Sequence, residues 1–217
     1  MYKSASVLRD LIASWDLNER LKVEAIFVDD NCPHKSKEHV IDCWSKRQTE
    51  LKKPVGKIIY SSHNQGFGTA CNIGARYATG DYLIFLNADT IVTPGWIWPM
   101  VRMLRKQDVG VVGNLQLHKI GGRETIHGAG SQWDWEVGVF RHIGKEIYNH
   151  VKVQQPFAVD NAPRDIFKAQ EREMVTGACL GIRKELFEEL GGFNPNYRIG
   201  YWEDSDLCMT VREKGYK

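Results

Sequence analysis

YLIFLNADTIVTPGW (residues 82–96) runs five apolar residues straight into Asn87-Ala88-Asp89 and then into Thr93-Pro94-Gly95. A bounded apolar run of this length reads as a buried strand, because a helix would need more residues and a 3.6-residue period. Asn and Asp are ordinary turn formers, since their side chains bond back to nearby backbone. They are also what an open α/β sheet presents at the carboxyl end of a strand, where such sheets place their ligands. Beyond the turn, Thr93 is suited to cap a helix whose first position is Pro94, where a missing N–H costs least.

The flanking sequence repeats that rhythm. SVLRDLIASW (6–15) spaces Val7, Leu8, Leu11, Ile12 and Trp15 along one helical face. VEAIFV (23–28) is a short apolar run ending on Asp29-Asp30, KEHVIDCWSKRQTEL (37–51) is helix-like, and KIIY (57–60) is a second strand followed by the loop SSHNQGFG. A helix over 69–78 stops at Gly80, and VGVVGNLQL (109–117) reads as a fourth strand. Over 119–173 the period fails, as in HGAGSQWDWEVGVFRHIGKE, which reads as an irregular insertion holding a hairpin or two. MVTGACLGI (174–182) is then a strand, RKELFEEL a helix ended by Gly191-Gly192, and a last helix begins near Glu203. Alternating strands and helices predict a single α/β domain over 1–217, with a Rossmann-like, mostly parallel central sheet flanked by helices.

Composition narrows the partners. In 217 residues, 29 basic side chains stand against 27 acidic ones, for a net charge of +2. No global field favours a polyanion, so nucleic acid is not implied. The five cysteines are scattered, odd in number and without a CxxC pair, which fits a reducing cytosol. No apolar run reaches the roughly 18 residues of a membrane span. A cytoplasmic location is expected, with peripheral association at the inner face of a membrane as the remaining option.

Three strand ends carry polar clusters: Asp29-Asp30, the loop from Asn64 to Gly68, and Asn87 to Asp89. In a parallel sheet these ends share one edge, so the clusters should converge on a nucleotide site. Asp29 or Asp30 is suited to accept hydrogen bonds from a base or ribose, although either fits a solvated turn as well. Gly66 and Gly68 permit either a positive φ or close approach of backbone to a phosphate. NQGFG is not the GxGxxG dinucleotide fingerprint. Asp89 is the candidate metal ligand, because Mg²⁺ or Mn²⁺ bound with a diphosphate commonly takes one or two protein carboxylates. In WEDSDL (202–207), acids in the first helical turn suit the helix dipole, and one of them could serve as a general base.

Taken in order, VDD, NQGFGTACNIG, GDYLIFLNADTIVTPGW, VTGACLGIRKELFEELGGF and YWEDSDLCMTVREKGY resemble the family 2 glycosyltransferases, most nearly the bacterial rhamnosyltransferase-like branch. The resemblance implies a GT-A fold, a nucleotide-diphosphate-sugar donor (UDP, dTDP or GDP), a divalent metal (Mn²⁺ or Mg²⁺), a glycan or lipid-linked acceptor, and inversion at the anomeric carbon. Asn87-Ala88-Asp89 stands where the family has its DxD-type motif, making Asp89 the implied metal ligand. Asp29 and Asp30 match the acids that hold base and ribose, with Asn64 and Gly66 beside the donor. Asp204 matches the general base, while Gly177, Ala178, Trp202 and Glu203 fall where sugar and acceptor pockets are shaped. Family members usually open on a strand of the form VxIVxxYN and continue past the point where this sequence stops. A missing first strand and truncation at both ends are therefore expected.

Two other functions remain open on the sequence. One is an inactive relative that binds nucleotide or glycan, or serves as an interaction module. The other is a nucleotidyltransferase, which would need a glycine-rich basic loop near the N-terminus that is absent here. A nicotinamide oxidoreductase fails for want of the glycine fingerprint.

Overall fold

The computed structural model describes residues 5–15, 21–33, 42–46, 57–136, 138–144, 148–149, 152–153, 164–198 and 200–217. The chain opens on helix α1 (Ala5–Ser14), as its apolar spacing predicts, and Leu8, Leu11, Ile12 and Trp15 are buried. Strand β1 (Ile26–Asp29) starts three residues later than expected. The helix expected over 37–51 lies largely outside the described residues, of which 42–46 are helical (α2). β2 (Lys57–Tyr60) pairs with β1 in parallel register, from Ile26↔Lys57 to Asp29↔Tyr60. Helix α3 (Phe67–Tyr77) packs on β1, its Gly74 lying against Val28 and Ile26.

β3 (Tyr82–Leu86) is the strand expected, and it is apolar throughout because both its faces are covered. Leu83 and Phe85 join a core with Leu180, Ile182, Phe187, Phe193, Leu207 and Val211. Tyr82, Ile84 and Leu86 turn to a second core, built on α1, Phe27 and Trp44. The following helix is later than expected: α4 (Ile97–Leu104) does not begin at Pro94. Thr93 instead accepts a hydrogen bond from the Trp96 N–H at 3.3 Å, closing a turn whose Gly95 takes φ +74°, a conformation outside the helical region.

The expected fourth strand splits. β4 (Val111–Gly113) stays in the central sheet, whereas β5 (Gln116–Ile120) leaves it for a hairpin with β6 (Arg123–Gly128). The insertion expected over 119–173 contains further hairpins, β7 (Ser131–Asp134) with β8 (Val139–His142) and β9 (Tyr148–Asn149) with β10 (Lys152–Val153). Residues 137, 145–147, 150–151 and 154–163 of that insertion lie outside the described residues.

β11 (Cys179–Arg183) is shorter than the 174–182 reading and runs antiparallel between β3 and β4. Its register, Cys179↔Leu86 through Arg183↔Tyr82, brings the segment before β11 to the carboxyl end of β3. Helix α5 (Lys184–Glu189) follows, and the last helix, α6, spans Glu203–Glu213.

One polar clamp ties these layers together. The Asn72 side chain donates to the Phe193 carbonyl at 2.7 Å and accepts from the Phe193 N–H at 2.9 Å. Phe193 is fully buried, with edge contacts to Phe67, Phe85 and Phe187. Gly192, at φ +79°, makes room for the clamp, since a Cβ there would sit 2.5 Å from Asn72 Oδ1. Asn72→Ala strands a donor and an acceptor beside the core and should cost about 2–4 kcal/mol in chemical denaturation, with an unchanged m-value.

Candidate functional site

Stretches distant in sequence meet at the carboxyl ends of β1 and β3. The Asp30 carboxylate, 3% exposed, accepts hydrogen bonds from Gln65 N–H at 3.0 Å and Gly66 N–H at 2.9 Å. The 64–66 loop is thereby held over the end of β1. Asn64 Oδ1 also accepts from the Gly66 N–H at 3.0 Å, and Gly66 takes φ +88° as α3 begins. Asp29 Oδ1 accepts from Cys32 N–H at 2.8 Å, closing a turn. Both acids are buried, and in this arrangement Asp30 orders the loop by bonds to its backbone.

The second stretch is the end of β3. Asn87 N–H donates to the Ala178 carbonyl at 2.9 Å, and Thr90 Oγ1 donates to the Asn87 carbonyl at 2.8 Å. Asp89 lies exposed on the resulting turn, and among the described residues nothing pairs with its carboxylate. One contact here has no signal in the sequence. Ser14, at the end of α1, accepts from the Val92 N–H at 3.0 Å and so anchors the far side of the turn.

The antiparallel direction of β11 supplies the third stretch. Ala178, bonded to Asn87, is preceded by Gly177, whose N–H donates to Asp204 Oδ2 at 2.7 Å. A Cβ on Gly177 would sit 3.0 Å from the Phe67 ring and 3.4 Å from Asp204 Cβ, so a larger residue would have to push the Phe67 ring aside. Asp204 Oδ1 accepts from the Ser205 N–H at 2.8 Å. Its carboxylate is thus oriented by backbone donors and sits in the first turn of α6, at the positive end of the helix dipole.

Glu203, beside it, belongs to a different environment. It is 6% exposed, its Cβ and Cγ lie 3.5 Å from the Cβ position of Gly68, and its Oε2 has no hydrogen-bond partner among the described residues. Burial raises its pKa above the ordinary 4.5, and the neighbouring Asp204 charge adds to the shift, against the opposing pull of its own backbone N–H. Between the ordinary value and the raised one, the native state keeps a proton that the unfolded chain has lost. Stability is greatest below the ordinary value and falls as pH rises through the window up to the raised one. Glu203→Gln stays neutral throughout, so its melting temperature relative to the parent should be higher at pH 7.5 than at pH 4.5. An equal difference at both pH values would contradict the shift.

Just before α6, Tyr201 and Trp202 both take positive φ, +73° and +78°, and both are exposed. Non-glycine residues seldom do so, and a consecutive pair marks a chain forced to turn sharply onto the helix. Trp202 thereby stands next to Glu203 and Asp204 while remaining open to solvent.

The donor set suits one kind of metal site. Among the described residues no group of three or more His, Cys, Asp or Glu side chains converges, so an all-protein cage is not formed. A single exposed carboxylate at the end of β3 fits a hard divalent cation whose other ligands are substrate phosphates and water. All five cysteines are free, and burial pushes the Cys179 and Cys208 thiols up to about 12, which makes them poor nucleophiles.

Comparison with known proteins gives one family. The model described as "Glycosyl transferase family 2" matches residues 1–191. The O-antigen biosynthesis protein RfbC of Myxococcus xanthus is 30% identical over 149 residues, covering 67% of this chain and 11% of RfbC. Among solved structures, mannosyltransferase PcManGT from Pyrobaculum calidifontis, in complex with GDP-Man and Mn²⁺, superposes with a TM-score of 0.66. The identity is 19%, over 100% of this chain and 51% of that one. GalNAc-T7 with UDP, GalNAc and Mn²⁺ gives a TM-score of 0.63 at 20% identity, over 89% of this chain and 35% of that one. At these identities the structural likeness is one of fold, the GT-A fold. The chain spans about a tenth of RfbC and half of PcManGT.

Proposed function

Because the chain belongs to glycosyl transferase family 2, we propose that it moves a sugar from a nucleotide-diphosphate-sugar to an acceptor hydroxyl, inverting the anomeric carbon. The observation that carries this reading is the continuous link Asn87–Ala178–Gly177–Asp204, which joins the DxD-type turn to the first acid-rich turn of α6. The link holds Asn87 and Asp204 near one another at the carboxyl end of β3, which supports donor and base roles on one side of a single displacement. The nucleotide complexes of PcManGT and GalNAc-T7 support the choice of donor class.

In the proposed reaction Asp204 accepts the proton of the acceptor hydroxyl. The acceptor oxygen bonds to the anomeric carbon as the bond from that carbon to the nucleoside diphosphate breaks. The Gly177 and Ser205 N–H groups fix the carboxylate during this transfer. Asp89 would hold the divalent cation, which when bound supplies neutralising charge to the leaving diphosphate. Asp30 orders the 64–66 loop and Asp29 the turn to Cys32 at the end of β1, where base and ribose would lie, and Trp202 would offer its exposed indole face to the acceptor side. RfbC, the O-antigen biosynthesis relative, supports a glycan or lipid-linked acceptor in polysaccharide assembly.

The test is calorimetric titration with UDP, GDP and dTDP, each with and without Mn²⁺, followed by assay of nucleoside diphosphate release from the sugar donor of whichever nucleotide binds. Metal-dependent binding of one nucleotide and turnover of its sugar conjugate are expected. Binding without turnover on any acceptor would favour an inactive relative, and no binding of any of the three would overturn the reading.

A further inference from the structure

The β7–β8 hairpin carries an aromatic strip that the reaction does not use. Ser131 and Trp133 share one face of β7, and Trp135 follows in the turn just beyond the strand. Ser131 is fully buried at the root, Trp133 is half-buried, and Trp135 is 88% exposed at the tip. The strip therefore begins on the core and ends in solvent. Its rings are braced: Trp133 meets Phe140 edge-on at 5.1 Å, and Trp135 meets Trp133 edge-on at 6.2 Å. Phe140 in turn packs on the core. An indole this exposed and this well supported has a preformed face that needs little ordering to bind.

The root of the hairpin is tied to the candidate base. Ser131 and Met174 exchange backbone hydrogen bonds, at 2.8 and 3.3 Å, and the Trp133 N–H donates to the Glu173 carboxylate. Met174 Sδ accepts from the Ser205 hydroxyl at 3.3 Å, one residue from Asp204, and Gly177, bonded to Asp204, lies three residues further along the same segment. From Ser131 to Asp134 the strand rises about 10 Å, and Trp135 stands in the turn beyond it. A chain-like ligand with one end at Asp204 could thus lie along the hairpin.

Charge decides between occupants. The described hairpin carries Asp134 and Glu136 near its tip, and its Arg141 is bridged to Asp134 at 2.6 Å. With Asp134 taken up by Arg141 and by the Glu136 N–H, an anionic bilayer would meet the Glu136 carboxylate and no unpaired cation on the described hairpin. A neutral polyol would gain at this tip, since the Glu136 carboxylate can accept hydrogen bonds from hydroxyls and an indole face stacks on the C–H face of a sugar ring. We propose that the β7–β8 hairpin is a glycan-binding arm, in which Trp135 stacks on a sugar ring of the acceptor some distance from the hydroxyl that reacts. This rests on the glycosyltransferase reading for the word acceptor, but binding itself needs no donor and no turnover.

The experiment measures binding of soluble gluco-, manno- and rhamno-oligosaccharides to the full chain by tryptophan fluorescence and ligand-observed NMR, without nucleotide or metal. Parent, Trp135→Ala and Trp135→Tyr are compared, and nucleotide titration of each runs alongside. Trp135 is exposed, so both variants should keep the parent melting temperature. At least one oligosaccharide should bind the parent, about tenfold or more weaker to Trp135→Ala, and within a few-fold of parent to Trp135→Tyr, with nucleotide affinity unchanged in all three. Absence of oligosaccharide binding, or binding equal in parent and Trp135→Ala, overturns the proposal. So does a Trp135-dependent loss of binding to phosphatidylglycerol vesicles, or of self-association, with no glycan effect. Loss of nucleotide binding in the parent would instead count against the transferase reading, leaving the glycan result to stand by itself.

Discussion

Asp204→Asn should lower sugar transfer by about 10²–10⁴-fold, the usual contribution of a positioned general base. Nucleotide affinity should stay within a few-fold of the parent. The substitution is nearly isosteric, and the asparagine carbonyl oxygen can still accept from the Gly177 N–H, as Asp204 does now at 2.7 Å, at the loss of the acceptor for the Ser205 N–H. The local fold around α6 should therefore persist while the proton acceptor is lost. The measurement is turnover of the donor identified by titration, together with its binding constant. Equal loss of both would mean that Asp204 holds the site together and takes no proton. Full retention of turnover would move the base to another residue.

The second large effect is expected at Asp89. Asp89→Ala removes the carboxylate that stands exposed at the end of β3, on a turn whose backbone is held by Ala178, Thr90 and Ser14. Because those anchors do not involve the Asp89 side chain, the variant should fold and melt like the parent. Removing a supporting partner of a metal ligand typically weakens metal sites by about 10–100-fold, so removing the ligand itself should abolish at least about tenfold of the Mn²⁺-dependent gain in nucleotide affinity. Binding measured without metal should change little. If Mn²⁺ strengthens nucleotide binding equally in parent and variant, the cation is held elsewhere.

These two residues differ in how far the sequence discloses them. Asp89 is visible because strand and turn are local: five apolar residues bounded by Asn-Ala-Asp leave few conformations, and β3 and the turn are where the pattern puts them. The start of α6 at Glu203 and the apolar face of α1 are legible for the same reason. Where local rules compete, the reading slips by a few residues. Thr93-Pro94 satisfies the grammar of a helix start, yet Gly95 at φ +74° makes a turn instead, and α4 waits until Ile97.

The sequence alone determined the α/β class, the polar strand ends and the set of acids that could carry chemistry, because each depends on neighbours within a few positions. Only the tertiary structure decided which of them meet. The direction of β11 has no local signature, since an apolar strand buried on both faces looks alike whichever way it runs. Being antiparallel, it delivers Gly177 and Ala178 to the end of β3, where they join Asn87 to Asp204. Likewise, burial and an unpartnered oxygen separate Glu203 from Asp204, although the two acids are adjacent in sequence and the same helix dipole acts on both. Pairing, register and solvent exclusion are set by residues tens of positions away, so they emerge only when the whole core closes.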